Sequence, residues 1–225
     1  MGQDIMLDAA GRPFHGYIAG AERSGARGVL LLHAWWGLTP FFKQQCDRLA
    51  GEGYVVVAPN LFGDHTAATI PEAEALMHLE HDDPGGFQAR TLAAVDRLRE
   101  AAPGGPLGVI GFSMGAAWAS VVSTLRPDDV RAVVLFYGTY PLDFSAAKAD
   151  FLGHYAATDD FEPPEAVREM EGALQKAKLS VTFYTYPGTG HWFFEDNQPA
   201  AYNAPAANLA WQRTLDFLGE RLKGK

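Results

Sequence analysis

Short continuous runs of apolar residues alternate along the chain with longer stretches in which apolar residues recur every three or four positions. Continuous runs are typical of strands buried on both faces, and the longer stretches are typical of amphipathic helices. The predicted strands cover residues 28–33, 54–58, 107–112, 130–138, 150–156 and 180–187. The predicted helices cover residues 41–51, 87–101, 114–125 and 163–178, and a final helix carries Trp211, Leu215, Leu218 and Leu222 on one stripe.

This alternation predicts an α/β fold, in which a mainly parallel, doubly wound sheet has helices on both faces. Strand-like runs near residues 5–7 and 15–19 predict an additional antiparallel edge. The chain contains no internal repeat, low-complexity run or linker-like segment, so residues 1–225 are predicted to form a single domain. No segment is long enough for a large lid.

The amino-acid composition restricts the classes of binding partner and the cellular compartment that are expected. The 225 residues are 48% hydrophobic and 20% charged, as in globular proteins, and the formal net charge of −9 makes a nucleic acid a poor partner. The single cysteine, Cys46, cannot form an internal disulfide, which favours a cytoplasmic location. The uncharged stretch 101–125 contains prolines and a glycine pair, so we expect a buried strand and helix there rather than a membrane span.

The strongest local signal for chemistry is Gly111-Phe112-Ser113-Met114-Gly115, at the junction of a predicted strand and a predicted helix. A serine on such a turn is pushed out above the end of the sheet, and the flanking glycines avoid collisions with the neighbouring strand and helix. The turn also points the first helical N–H group, that of Met114, at a developing oxyanion. We predict Ser113 as a nucleophile; the alternative is an ordinary serine in a glycine-rich turn.

A serine hydroxyl is a weak nucleophile at neutral pH, so it needs a histidine base that an acid orients. In this architecture the chain order is serine, acid, histidine, and each follows the end of a strand. Asp159 and Asp160 follow the run 150–156, and His191 follows the run 180–187. We predict His191 as the base and favour Asp159 as the acid, because it follows its strand more closely; Asp160 is then a solvated neighbour or a helix cap.

Other residues near the strand ends have less specific signals. The loop Ala34-Trp35-Trp36-Gly37 predicts the N–H group of Trp35 as the second oxyanion donor. His33 is expected to hydrogen-bond to the loop backbone rather than to transfer protons. His154 lies at the end of a predicted strand near Asp159, so it could be mistaken for the base, and the same structural role is expected for it.

Five segments carry a family resemblance: HAWWGLT, YVVVAPNLF, GFSMGAA, GHYAATDDFEP and PGTGHWFF. With them, from about Gly28 to Leu218, the chain resembles the dienelactone hydrolase family of the α/β-hydrolases. The intervals of 46 residues from Ser113 to Asp159 and 32 residues from Asp159 to His191 are also close to those of the family. The resemblance implies an α/β-hydrolase fold with Ser113 as nucleophile, Asp159 as acid and His191 as base, and with backbone donors at Trp35 and Met114.

Three positions depart from the family pattern. Ser113 stands where the enzymes that name the family have a cysteine, Ala34 where they have a glutamate, and Glu195 where they have an arginine that binds the substrate carboxylate. Seven acidic residues and no Lys or Arg lie between Arg48 and Arg90, which disfavours an anionic substrate. We therefore expect the same mechanism on an uncharged substrate rather than on dienelactone itself.

Aromatic residues around the predicted site suggest an apolar pocket, for which Trp36, Phe112 and Trp192 are the candidates. The group His78, His81, Asp82 and Asp83 could be drawn as a metal site, but we expect a solvated acidic loop and predict no metal. The sequence has no phosphate-binding loop with a lysine and no dinucleotide fingerprint after a strand, so no cofactor is predicted.

The sequence thus predicts a serine hydrolase that cleaves a small carboxylic ester or lactone through an acyl-enzyme intermediate. A thioesterase, an acyltransferase or a small peptidase would share the acylation half of this mechanism and is the first alternative. A non-catalytic binding protein on the same scaffold is the second alternative, because a fold does not fix a function.

Overall fold

The computed structural model describes residues 2–223, except for the side chains at positions 80, 81 and 84. The strands are β1 (Gln3–Ala9), β2 (Arg12–Ala19), β3 (Gly28–Leu32), β4 (Val55–Pro59), β5 (Leu107–Phe112), β6 (Val130–Phe136), β7 (Asp150–Ala156) and β8 (Val181–Tyr186). The helices are α1 (Pro40–Gly51), α2 (Ile70–Asp82), α3 (Pro84–Ala101), α4 (Met114–Leu125), α5 (Pro164–Lys176) and α6 (Ala204–Arg221), with a short 3-10 turn at Phe144–Ala146. Backbone contacts group these elements into two units, residues 2–107 and 108–223, and the single domain stays a prediction.

The strands of the first unit have the order β1-β2-β4-β3. β1 pairs antiparallel with β2 and β2 pairs antiparallel with β4, which confirms the predicted antiparallel edge. β3 and β4 are parallel, and every residue of both strands is buried. Their continuous apolar sequences, GVLLL and VVVAP, are therefore explained by burial on both faces.

The strands of the second unit have the order β5-β6-β7-β8, and the pairs β6–β7 and β7–β8 are parallel. Helix α4 packs on β6, α6 packs on β6 and β7, and α5 packs on β8. All of β5 is buried, so the serine that follows it stands at the end of a strand held firmly in the core. The alternation of parallel strands and helices in both units confirms the predicted α/β class.

Two helices differ from the sequence prediction. Residues 70–82 form helix α2, which was not predicted and which includes most of the group 78–83 that was expected to be an acidic loop. Helix α3 begins at Pro84, three residues before the predicted start. At the start of α2 the Glu72 carboxylate accepts the N–H groups of Ala68 and Thr69, at 2.8 and 3.1 Å, and Pro71 occupies the first turn. This Thr-x-x-Glu spacing before a helix is a start signal that could have revealed α2.

The uncharged stretch 101–125 forms β5 and α4, as expected from its prolines and glycines. Across residues 2–223, none of the helices combines the length and the apolar character that a membrane span requires.

The apolar stripe of α6 yields a stability prediction. Leu218 is fully buried, and its Cδ2 atom approaches Gly108 so closely that a Cβ at that glycine would lie 3.1 Å away. We expect Leu218→Ala to lower the free energy of unfolding by about 2–5 kcal/mol, because truncation leaves a cavity. Chemical denaturation measures the loss. Leu209 on the same helix is 46% exposed, and Leu209→Ala is expected to change stability by about 0.5 kcal/mol or less; equal losses in the two variants would contradict the packing argument.

Candidate active site

Ser113 lies on the sharp turn between β5 and α4, with a φ of +51° and a ψ of −116°. Non-glycine residues rarely adopt this backbone conformation, and it occurs at nucleophile elbows. A Cβ at Gly111 would clash with the carbonyl oxygen of Gly115 and lie 2.6 Å from the Cα of Ala116, so glycine is required there. The turn therefore requires glycine at position 111, two residues before the serine, as the sequence pattern indicates.

A third glycine, which sequence reasoning did not single out, supports the same turn. Gly138 follows β6, and a Cβ there would clash with the carbonyl oxygen of Ser113. The Ser113 N–H group donates to the carbonyl oxygen of Phe136 at 2.9 Å, so the end of β6 holds the elbow from one side. Its signal in the sequence was a glycine at the end of the predicted strand 130–138.

The structure brings Ser113, His191 and Asp159 together in the second unit. Ser113 Oγ lies 2.9 Å from His191 Nε2, and His191 Nδ1 lies 2.9 and 2.8 Å from the two carboxylate oxygens of Asp159. The His191 and Asp159 side chains are only 5% and 3% exposed. A proton on Nδ1 donates to the carboxylate and leaves Nε2 to accept from the serine hydroxyl, which is the tautomer a general base needs.

The two neighbouring aspartates differ in their contacts. Asp159 contacts His191, and its Oδ1 also accepts the N–H groups of Phe161 at 2.9 Å and Glu162 at 3.0 Å. Asp160 is exposed. The backbone donors hold the Asp159 carboxylate in place against the His191 ring.

The loops that carry the acid and the histidine are joined to each other. β7 and β8 are parallel, with Ala156 opposite Tyr186, so both loops leave the same edge. The Thr158 N–H group donates to the carbonyl oxygen of Thr189 at 3.1 Å, and the Thr189 hydroxyl donates to the carbonyl oxygen of Tyr186 at 2.7 Å. These bonds explain why residues 32 positions apart meet at hydrogen-bond distance.

A buried tyrosine and a buried glutamate pack behind the histidine. The ring centroid of Tyr137 lies 4.9 Å from that of His191, and the Tyr137 hydroxyl donates to Glu195 Oε1 at 2.7 Å. Both residues are fully buried, and burial together with the nearby carboxylate raises the pKa of Tyr137 well above its usual value. The tyrosine therefore keeps its proton and braces the loop of His191 from inside the unit.

The two predicted oxyanion donors belong to different units. Met114 is the first residue of α4, where backbone N–H groups have no intrahelical acceptor and the helix dipole favours negative charge. Trp35 lies in the first unit, in the loop after β3, so its part in an oxyanion site stays a prediction.

The three predicted pocket residues have different environments. Trp36 is 3% exposed in the first unit, and Phe112 is 1% exposed and stacks on Phe136 with ring centroids 4.6 Å apart, so burial favours a core role for both. Trp192 is half-buried, and its ring lies 5.1 Å from that of His191. Phe161, which sequence reasoning missed, is 51% exposed and lies 4.9 Å from the His191 ring. Phe161 and Trp192 therefore form an apolar rim beside the histidine.

The other two buried histidines have structural partners. The Leu61 N–H group donates to His33 Nε2 at 2.9 Å, while His33 Nδ1 lies 2.6 Å from the carbonyl oxygen of Ala34. His154 is held between the Tyr186 and Thr214 hydroxyls, at 2.8 and 3.0 Å. Burial lowers the pKa of His33 to about 4 and that of His154 to about 3. Both imidazoles are neutral in the fold.

The suggested acidic metal cluster gains no support. His78 and Asp82 lie on α2 and Asp83 follows it, while the side chain of His81 is outside the described residues. Within the part of the chain that the structure describes, no group of three or more His, Cys, Asp or Glu side chains is arranged to hold a metal ion.

A serine on a strained strand–helix turn, with an acid and a histidine in the loops after later strands, defines the α/β-hydrolase class. The chain belongs to the dienelactone hydrolase family, whose family model matches residues 14–222. It is 30% identical over 231 residues to Protein usf of Aquifex pyrophilus, with 99% of this chain and 100% of that protein covered. It is 28% identical over 233 residues to a protein of Aquifex aeolicus named as a candidate carboxymethylenebutenolidase, with 99% and 100% covered.

Solved structures are similar in fold. The structure named m3DLH has a TM-score of 0.88 at 22% identity, with 99% of both chains covered. A dienelactone hydrolase-like promiscuous phosphotriesterase from metagenomic libraries has a TM-score of 0.89 at 19% identity, again with 99% of both chains covered. An acylaminoacyl peptidase of Pyrococcus horikoshii has a TM-score of 0.79 at 13% identity, but this chain covers only 42% of it. At these identities the likeness shows the fold alone.

The burial of His154 yields a pH prediction. Its folded pKa, about 3, is below the value of about 6.5 in an unfolded chain, so the unfolded state binds more protons between these values. The contribution of His154 to stability is therefore complete above about pH 6.5. It is lost as the pH falls towards 3, at up to about 1.4 kcal/mol per pH unit.

Denaturant unfolding between pH 7 and pH 4 measures this slope. His154→Gln removes the titrating group, so its free energy of unfolding should fall less steeply with decreasing pH than that of the wild type. His15→Gln changes an exposed histidine and should keep the wild-type slope. Parallel slopes for the wild type and His154→Gln would contradict the assignment of a neutral, buried imidazole.

Proposed function

We propose that the chain is a serine hydrolase that cleaves a carboxylic ester or lactone through an acyl-enzyme intermediate. One observation carries the proposal: Ser113 Oγ lies 2.9 Å from His191 Nε2, and the same imidazole lies 2.8 Å from Asp159. Membership of the dienelactone hydrolase family supports the reaction class. The family alone does not select the nucleophile, because the elbow here has a serine where the family's name-giving enzymes have a cysteine.

In the acylation half, Ser113 Oγ attacks the carbonyl carbon of the ester while His191 Nε2 takes the hydroxyl proton. The carbonyl oxygen becomes an oxyanion, for which the Met114 and Trp35 N–H groups are the donors predicted from the sequence. A donor of this kind contributes about 3–4 kcal/mol to transition-state stabilisation. The intermediate collapses when the bond to the leaving oxygen breaks, and His191 returns its proton to that oxygen.

In the deacylation half, His191 takes a proton from a water molecule, and the resulting hydroxide attacks the acyl carbon. The acyl–Ser113 bond then breaks, the carboxylic acid leaves and the serine oxygen recovers the proton from His191. The Asp159 side chain orients His191 and stabilises the imidazolium in both halves. Its contacts with both the imidazole and two backbone N–H groups support this role.

The substrate is proposed to be small and uncharged. Beside His191 the exposed ring of Phe161 and the half-buried ring of Trp192 lie 5.3 Å apart and offer apolar contact to an acyl or alkyl group. A thioesterase, an acyltransferase or a small peptidase would use the same first half, and competition between water and an added alcohol or amine separates transfer from hydrolysis. The cytoplasmic location stays a prediction from the single cysteine.

The first prediction from this proposal concerns the nucleophile. The wild type should hydrolyse p-nitrophenyl acetate and become labelled by a fluorophosphonate probe at Ser113. Ser113→Ala should lose the label and at least about a thousandfold of the rate, because the covalent step cannot occur. Ser145→Ala, which changes an exposed serine in the same unit, should keep both. An unlabelled wild type would favour a non-catalytic binding protein, and equal rates in the wild type and Ser113→Ala would reject the mechanism.

The second prediction concerns the acid. Asp159→Asn should lower kcat by about 10³–10⁴-fold, because an amide no longer favours the productive tautomer or the imidazolium. Asp160→Asn has the same change in charge at an exposed neighbour and should stay within about threefold of the wild type. Steady-state kinetics on the same ester compare the two variants; a large loss in Asp160→Asn with little loss in Asp159→Asn would exchange their roles.

A further inference from the structure

A groove of about 320 Å³ lies in the second unit, apart from the elbow itself. One wall is the segment 139–142 after β6, and the other is the face of α5 that carries Ala166, Met170 and Ala173. The lining includes one charged residue, Glu169. A concave site with mainly apolar walls binds apolar groups, and the carboxylate disfavours an anion.

One end of this groove is joined to the nucleophile turn. Thr139 lines the groove and directly follows Gly138, the glycine that allows the close approach to the Ser113 carbonyl oxygen. One peptide bond therefore separates Gly138, which contacts the elbow, from Thr139, the first residue of the groove. The segment that forms this wall therefore begins next to the residue that packs against the nucleophile turn.

The same end of the groove is joined to the acid and the histidine. The Thr139 hydroxyl donates to Glu162 Oε2 at 2.6 Å, and the Glu162 N–H group donates to Asp159 Oδ1 at 3.0 Å. Phe161, the residue before Glu162, contacts His191. All three members of the proposed catalytic set thus connect to the Thr139 end, while Ala173 lies about two helical turns further along α5 than Ala166.

We propose that this groove binds an uncharged aliphatic chain of the ester whose carbonyl is held at Ser113, and that it sets the preferred chain length. The inference rests on the proposed function, because it takes Ser113 as the position of the reacting carbonyl. Each methylene group buried in the groove should raise kcat/KM by about fourfold, the ratio expected from apolar burial. An ester whose chain ends in a carboxylate should be a poorer substrate than its neutral homologue, because Glu169 lines the groove.

The test measures kcat/KM of p-nitrophenyl esters from acetate to octanoate, and of acetate esters from methyl to octyl, so that acyl and alkyl chains are both sampled. Ala173→Leu fills the groove, and its octanoate-to-acetate or octyl-to-methyl ratio should fall by about tenfold or more while the short esters stay within about twofold. The matched control is Gly172→Leu on the same helix, where a Cβ meets no atom within 4 Å and the wild-type ratios should persist.

A second variant keeps the proposal testable if Ala173→Leu does not fold. Tyr140 lines the groove and is 42% exposed, so Tyr140→Ala removes part of the wall without opening the core. Its long-to-short ratio should fall several-fold. The proposal is overturned if both groove variants keep the wild-type ratios in both series, or if they lower short and long esters equally. A failure of the proposed function has a different signature, since Ser113→Ala would then keep its activity on the short esters.

Discussion

At Ser113 the backbone has a φ of +51°, a conformation that costs a non-glycine residue about 1–3 kcal/mol and persists only where the surroundings enforce it. Here β5 ends and α4 begins on either side of that residue, the N–H group bonds to Phe136, and the carbonyl oxygen accepts the Ala116 N–H group at 2.8 Å. Gly111 and Gly138 permit the close approaches. The position of the serine oxygen is therefore set by the packing of the second unit.

The contrast between His191 and His154 shows how surroundings assign roles to one residue type. Both lie in the second unit and both are buried. The two ring nitrogens of His154 hydrogen-bond to hydroxyl groups, and burial lowers its pKa to about 3, so it stays neutral and structural. His191 instead lies against the carboxylate of Asp159, and in the proposed mechanism this carboxylate stabilises the imidazolium that forms during acyl transfer.

Glu195 lies at a position that differs from the family pattern, and the structure shows what its side chain contacts. The family resemblance implies that Glu195 stands where the name-giving enzymes have an arginine that binds the substrate carboxylate. Its presence here favours an uncharged substrate. The structure buries it against the Tyr137 hydroxyl, behind His191. In this chain the side chain at position 195 therefore supports the histidine loop from inside the unit. The apolar rim of Phe161 and Trp192 is consistent with the proposed uncharged substrate.

The sequence by itself determined the strands, most helices, the elbow and the order of serine, acid and histidine, because burial on two faces and strand–helix turns leave local patterns. It missed α2, whose start signal at Thr69 and Glu72 lies in a weakly amphipathic acidic stretch. Only the tertiary structure showed that Asp159, which the sequence favoured over Asp160, lies against His191, and only it revealed Phe161, Gly138 and the Tyr137–Glu195 pair. Those facts depend on contacts between side chains from segments that are far apart in the chain. The local sequence of two adjacent loop residues of the same type does not indicate which of them makes such a contact.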